Sequence, residues 1–310
     1  MSTSTDAVAV GNDPAAPRRR GIFRTSGESG GAWLGMLPFT VYVLIFMGLP
    51  LYEVFHGAFT SDADVLTLHN FSAIFSSSQY WTPLKNSLIL SAWTSGLGAL
   101  LGTWLAAAVV ASPPGSMLRR VVSSASGVLA YFGGVALAFM LIAAYGRPPG
   151  GVLTTWLKDV GIDLYAHGFS ISSLFGVGIA YVFFQVPLMV ILITPALEGL
   201  RPQWQEAAES LGASKLEYAR HVAVPVMTPP FIGALLVLFG NAFAAYATVL
   251  ALVGVTVPLI PAAINAAING NILVNQDRIA FALGVEMILI VMIVMIGYWM
   301  VQRRARRWLQ

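Results

Sequence analysis

Few side chains in this 310-residue chain could do chemistry, and their usual partners are missing. There is no cysteine, which removes disulfides, thiolate metal sites and cysteine nucleophiles. No G-x-x-x-x-G-K-[S/T] loop occurs, so the chain has no P-loop to cradle ATP. No H-E-x-x-H occurs, and His56, His69, His167 and His221 fall outside the apolar runs. No catalytic residue, metal or cofactor is therefore expected. One acidic residue, Glu286, falls mid-way along a long apolar run. A carboxylate at a bilayer centre costs roughly 2.5–3.5 kcal/mol on insertion scales, so it must face a cavity or a partner. Glu286 then either lines a solute path, where it would attract a cation, or bonds another helix or subunit. Gln185, Asn241, Tyr246 and Thr248 are further polar groups in such runs. Each can line a translocation path or join two helices. Tyr246 follows Asn241 by five residues, so one regular helix would not place both on one strict face.

The elements that must position these groups are membrane helices. Apolar residues make up 57% of the chain and charged residues 10%, against about 25% charged in a soluble domain. Mean hydropathy is +0.74. So few charges cannot coat a water-facing surface of this size. A span needs about 20 apolar residues, and six stretches qualify: 33–54, 88–111, 121–144, 171–195, 229–253 and 279–301. Glycine and serine interrupt the third, where Ser126 and Gly127 suit close helix packing. Residues 1–32 read as a polar, disordered tail without a cleavable signal, and 303–310 as a basic terminus.

The basic residues orient the spans. Six crossings put the basic residues of the tail, Arg119, Arg120, Arg201, Lys215, Arg220 and the C-terminal arginines on one side, thirteen in all. Only Lys85, Arg147, Lys158 and Arg278 fall on the other. The richer side is expected to be cytoplasmic, with both termini. The basic pI near 9.3 thus reflects membrane orientation, not nucleic acid. Trp81, Trp156 and Tyr80 fall near the interface, and the long outer loops are expected to dock an external partner. The Pro- and Asn-rich stretch from Pro258 to Asn271 suits a broken or gate helix.

The segment 201–230, RPQWQEAAESLGASKLEYARHVAVPVMTPP, carries the most information. Pro202 suits a first helical turn, and Gly212 suits a helix C-terminus. Ser214 with Glu217 makes a capping-box pattern, and Pro225 marks the second helix's end. Two short helices joined at a glycine elbow are expected, a small-faced docking knob between the fourth and fifth spans.

Glu206-Ala207-Ala208, three residues, Gly212, nine residues and Val222-x-Val224-Pro225 resemble the EAA motif of binding-protein-dependent ABC importer permeases. That family has Ile and Leu where this chain has Val222 and Val224. Asn86-Ser87-Leu88, Gly102 with Ala106, and the run from the motif to Gly240 also resemble the permease domain, which would cover 33–302. The resemblance implies an all-α transmembrane fold with six helices, of the type I importer kind, in a bacterial inner membrane. It implies cytoplasmic coupling helices in 201–225, docking through Glu206, Ala207, Ala208, Gly212 and Pro225. It implies as partners an ABC ATPase dimer, a second permease subunit and an extracytoplasmic solute-binding protein. Family members with an N-terminal extension often pair with a different subunit, which favours a heterodimer. Glu206–Ser214 is more similar to the permeases for polyamines, aminoalkylphosphonates, ferric iron and thiamine than to the sugar-type EAAxIDGA form. A sugar-type permease and an ion-coupled secondary transporter are the alternatives.

Overall fold

The computed structural model describes residues 29–306, apart from Asp62, Val255 and 269–276. Residues 1–28 of the expected 1–32 tail, the last four residues, Asn269 and Asn271 lie outside the described residues. Among those described, structure is helical, with one antiparallel bridge between Thr60 and Leu66. The chain divides into two compact units, one ending at Leu51 and one starting at Tyr52.

In the first unit, α1 (Ser29–Val43) leads into a π-helical turn, Leu44–Gly48. Its large apolar side chains, Phe39 and Phe46 among them, are exposed. Helix α2 (Leu49–Phe59) follows. The other helices are α3 (His69–Ser76), α4 (Ser78–Ala111), α5 (Met117–Leu129), α6 (Gly134–Tyr145) and α7 (Val152–Asp159). Beyond them run α8 (Leu174–Glu198), α9 (Pro202–Ser210), α10 (Lys215–Tyr218) and a second π turn, Ala219–Ala223. Helices α11 (Val224–Phe243), α12 (Ala247–Val253), α13 (Ile260–Ile268) and α14 (Asp277–Arg306) complete the chain.

Five stretches are long and apolar enough to cross a membrane: Gly35–Phe59, Ser78–Ala111, Leu174–Glu198, Lys215–Phe243 and Asp277–Arg303. Helices α5 and α6 make a sixth only as a pair bent by 112°.

The helices depart from the sequence expectations in several places. The first begins at Ser29, inside the segment read as tail. The second span begins at Ser78, because the Ser77 hydroxyl caps it by accepting from the Gln79 amide at 3.3 Å. The third is broken at Ala130–Gly133, and Gly134 takes φ +70°, which favours glycine. The fifth ends at Phe243 and resumes as the separate helix α12.

Pro225 does not end the second short helix. It sits in the first turn of α11, and helix continues from Lys215 to Phe243. A proline ring clashes with the carbonyl four residues back. The π turn relieves this: the Val224 amide bonds Ala219 O, five residues back, so the ladder is widened where His221 would clash. Leu44–Gly48 stands in the same relation to Pro50.

The largest helix contact sets α4 against α8. Gly98, Gly102 and Ala106 recur every four residues and so share one face of α4. At Gly102 a Cβ would collide with Met189 and would lie 2.7 Å from the Val186 carbonyl oxygen. Ala106 is buried in the cluster of Met189, Val190 and Ile193. Small residues thus let two membrane helices approach closely, where dispersion is the main attraction. Asn86 and Ser87 have a scaffolding role. Asn86 Nδ2 donates to Pro258 O at 3.0 Å, and the Ile260 amide donates to Ser87 Oγ at 3.0 Å. Both anchor the entry of α13 on α4.

Candidate functional site

Two features could serve function: the elbow between α9 and α10, and a cavity where two apolar segments break.

The elbow is built from local rules. Pro202 occupies the first turn of α9. At its end, Gly212 takes φ +83°. The Ala213 amide reaches Ala208 O at 3.0 Å and the Gly212 amide reaches Glu209 O at 2.9 Å. This is a Schellman stop, which satisfies carbonyls that a helix end leaves open. A full capping box then starts α10: the Glu217 amide donates to Ser214 Oγ at 3.3 Å, and the Ser214 amide donates to Glu217 Oε2 at 2.7 Å. Each residue type enforces its turn, so the elbow needs little support from elsewhere. Glu206, Ala207, Gly212 and Pro225 are exposed and Ala208 is half-buried. Leu211 and Leu216 are 89% and 77% exposed. Just before α9, Glu198 at the end of α8 pairs with Arg119 of α5.

The cavity, of about 360 Å³, lies at the breaks 130–133 and 244–246. Tyr131, Gly133, Gly134, Asn241, Tyr246 and Thr248 are among its lining residues. Non-helical backbone at membrane depth needs side-chain or water partners. Here the Gly134 amide donates to Thr248 Oγ1 at 2.9 Å, and the Tyr181 hydroxyl donates to Ala245 O at 3.1 Å. Tyr246 OH donates to Asn265 Oδ1 at 3.0 Å, linking the break to α13.

Three of the five polar residues picked from sequence thus meet in one place. The break in the fifth segment brings Asn241 and Tyr246 together where a regular helix would not. Gln185 is elsewhere: it is 0% exposed, its Nε2 donates to Thr94 Oγ1 at 3.1 Å, and it lies against Gly98. Glu286 is 7% exposed, and its Oε2 has no hydrogen-bond partner among the described residues. Neither lines the cavity. Sequence reasoning missed Tyr131, Gly133 and Gly134. The signal was the Tyr-Phe-Gly-Gly run at 131–134, a breaker inside an apolar stretch.

Among the described residues, five helices long and apolar enough to cross a membrane, a bent pair that could make a sixth, and a short helical elbow between long spans have the architecture of a polytopic membrane protein. The chain belongs to the family described as binding-protein-dependent transport system inner membrane component, whose profile matches residues 98–307. It is thus a member of the ABC importer permeases. The sulfate transport system permease protein CysT of Salmonella typhimurium is 28% identical over 171 residues, 47% of this chain and 62% of that protein. The thiamine transport system permease protein ThiP of Escherichia coli is 31% identical over 116 residues, 37% of this chain and 21% of that one. The chain therefore covers less than two thirds of the length of these relatives. Among solved structures, a bacterial ABC transporter involved in import of the acidic polysaccharide alginate has the same fold. It superposes with a TM-score of 0.68 at 18% identity, over 89% of this chain and 95% of that one.

Proposed function

We propose that this chain is the membrane-spanning permease subunit of an ATP-driven importer and that the α9–α10 elbow is its coupling element. The observation that carries the proposal is the elbow itself: rigidly capped, exposed, and set between two spans. Glu206, Ala207, Ala208 and Gly212 would seat in a separate ATPase dimer, with Pro225 fixing the start of the span that receives the movement. The elbow faces the cytoplasm, as do both termini, on the balance of thirteen basic residues against four. ATP binding in the partner would draw two such elbows together and rock paired permeases between inward and outward openings. The permease domain comprises 33–302, and a second, different permease completes the pair.

In this reading a solute delivered by an extracytoplasmic binding protein passes the cavity at Asn241, Tyr246 and Thr248. Gln185 and Glu286 would support the path from within the chain. The form of the Glu206–Ser214 motif favours a polyamine- or aminoalkylphosphonate-like solute. Relatives and fold neighbours named for sulfate, thiamine and alginate leave a sugar-type solute equally open.

The natural lack of cysteine allows a direct test with Ala207→Cys as the sole thiol. The expected result is modification by a membrane-impermeant maleimide only from the cytoplasmic side, and a disulfide or bifunctional cross-link to an ATPase subunit. Labelling from outside, or no cross-link to any nucleotide-hydrolysing protein, would overturn the proposal.

A further inference from the structure

We infer that α7 is an interfacial helix whose apolar stripe is covered by lipid, not by a docking protein. Val152, Leu153, Trp156 and Val160 at its end are all exposed, Trp156 by 61%. At about 100° per residue they fall within one stripe about 100° wide, which the exposed Asp159 borders on one edge. Thr154 and Lys158 fall on the opposite side, where Thr154 is buried.

The height of this stripe is fixed by bonds to two membrane helices. The Thr154 hydroxyl donates to Gly146 O at 2.5 Å, and Gly146 is the C-cap of α6. The Tyr165 hydroxyl donates to Tyr145 O, the last residue of α6, at 2.9 Å. The Ile171 amide, just before α8, in turn donates to the Tyr165 hydroxyl oxygen at 3.5 Å. With 25 residues, α8 is about 37 Å long. It crosses a hydrocarbon core of about 30 Å with barely a turn to spare at each end. A segment tied to the end of α6 and the start of α8 therefore sits where those helices leave the bilayer. There a Trp–Lys helix with a one-sided apolar stripe has the composition of an interfacial segment. Val135 and Phe139 on α6 and Phe175 on α8 are likewise exposed apolar side chains. The inference rests on the chain spanning a membrane and not on the coupling role of α9–α10.

The full chain, with Val152→Cys, Trp156→Cys or Lys158→Cys as its single thiol, would be spin-labelled in phosphatidylcholine–phosphatidylglycerol nanodiscs. Collision rates with oxygen and with a water-soluble nickel chelate would then be compared. Oxygen is expected to win several-fold at 152 and 156, and the chelate at 158. Two stripe positions guard against one variant failing to fold. Chelate access at 152 and 156 matching that at 158 overturns the inference, as does shielding from both probes, which would mean cover by protein.

Discussion

The Thr248 hydroxyl accepts a 2.9 Å hydrogen bond from the Gly134 amide and so joins two helix breaks 114 residues apart. Thr248 is buried and Gly134 half-buried where both line the cavity, so the bond is partly shielded from water. Thr248→Val keeps the shape and removes the acceptor. Stranding a fully buried amide costs about 1–3 kcal/mol, and this half-buried one should fall at the low end. The variant is expected to unfold at lower temperature in detergent and to lose transport, while Thr248→Ser keeps both. A Thr248→Val protein as stable as the parent would show that water replaces the hydroxyl.

The α4–α8 contact predicts opposite outcomes for two glycines on one helix. Gly102→Ala would drive a methyl into Met189 and the Val186 carbonyl. Overpacking of this kind costs about 1–3 kcal/mol. Gly96 has nothing within 4 Å of where its Cβ would stand. Gly96→Ala should therefore be neutral or gain up to ~1 kcal/mol from helix propensity. Thermal melts of the two variants side by side decide the matter, and equal melts would refute close packing at Gly102.

At the elbow, φ +83° at Gly212 excludes a branched side chain more firmly than Asn. Gly212→Val should distort the α9–α10 corner at a cost of about 1–2 kcal/mol, and Gly212→Asn should be better tolerated. Neither should change total helix content by circular dichroism. Glu206→Lys leaves the backbone alone and reverses an exposed charge. It is expected to uncouple ATP hydrolysis from uptake. Ordinary transport-coupled hydrolysis in Glu206→Lys would count against docking through this face.

Acid should loosen the loop after α7. Asp163 Oδ1 accepts from the Ala166 amide at 3.1 Å and the Tyr165 amide at 3.0 Å, and Lys158 Nζ lies 3.6 Å from Oδ2. The Ala166 amide, helped by Lys158 and the Tyr165 amide, holds this carboxyl below the usual aspartate range. A depressed folded value means the stabilisation is complete above the unfolded pKa and disappears as pH falls through the folded one. Loop opening, read from hydrogen exchange at 163–168 after correction for intrinsic rates, should rise only below the ordinary aspartate range. Asp163→Asn should abolish that dependence. An unchanged pH profile in the Asn variant would rule out Asp163 as its source.

What the sequence made legible follows from the range of the forces involved. The α9–α10 elbow rests on residue pairs three to five positions apart, so Pro202, Gly212, Ser214 and Glu217 announced it. The long apolar helices were equally plain in their existence. Their ends were not: Ser77 starts α4 well before the apolar run, and a single cap outweighs hydropathy there. The breaks at 130–133 and 244–246 depend on Thr248 and Tyr181, whose partners lie far away in the chain. No local pattern marks such bonds. Gln185 carried an ambiguous signal for the same reason, since only Thr94 on another helix reveals its use as an interhelical bond.

The widened turn at Ala219–Ala223 sets an aim as well as relieving a proline. An α-helix advances about 100° around its axis with every residue. By bonding Val224 to Ala219, this turn takes in one residue more than a regular helix would. Everything on its N-terminal side is thereby swivelled by about 100° against the face of α11 that meets α4, α8 and α14. The azimuth of α10, and through it of the Gly212 corner, is thus dialled by one surplus residue. Were Pro225 replaced by alanine and the turn to tighten, the corner would point elsewhere while every contact within it stayed intact.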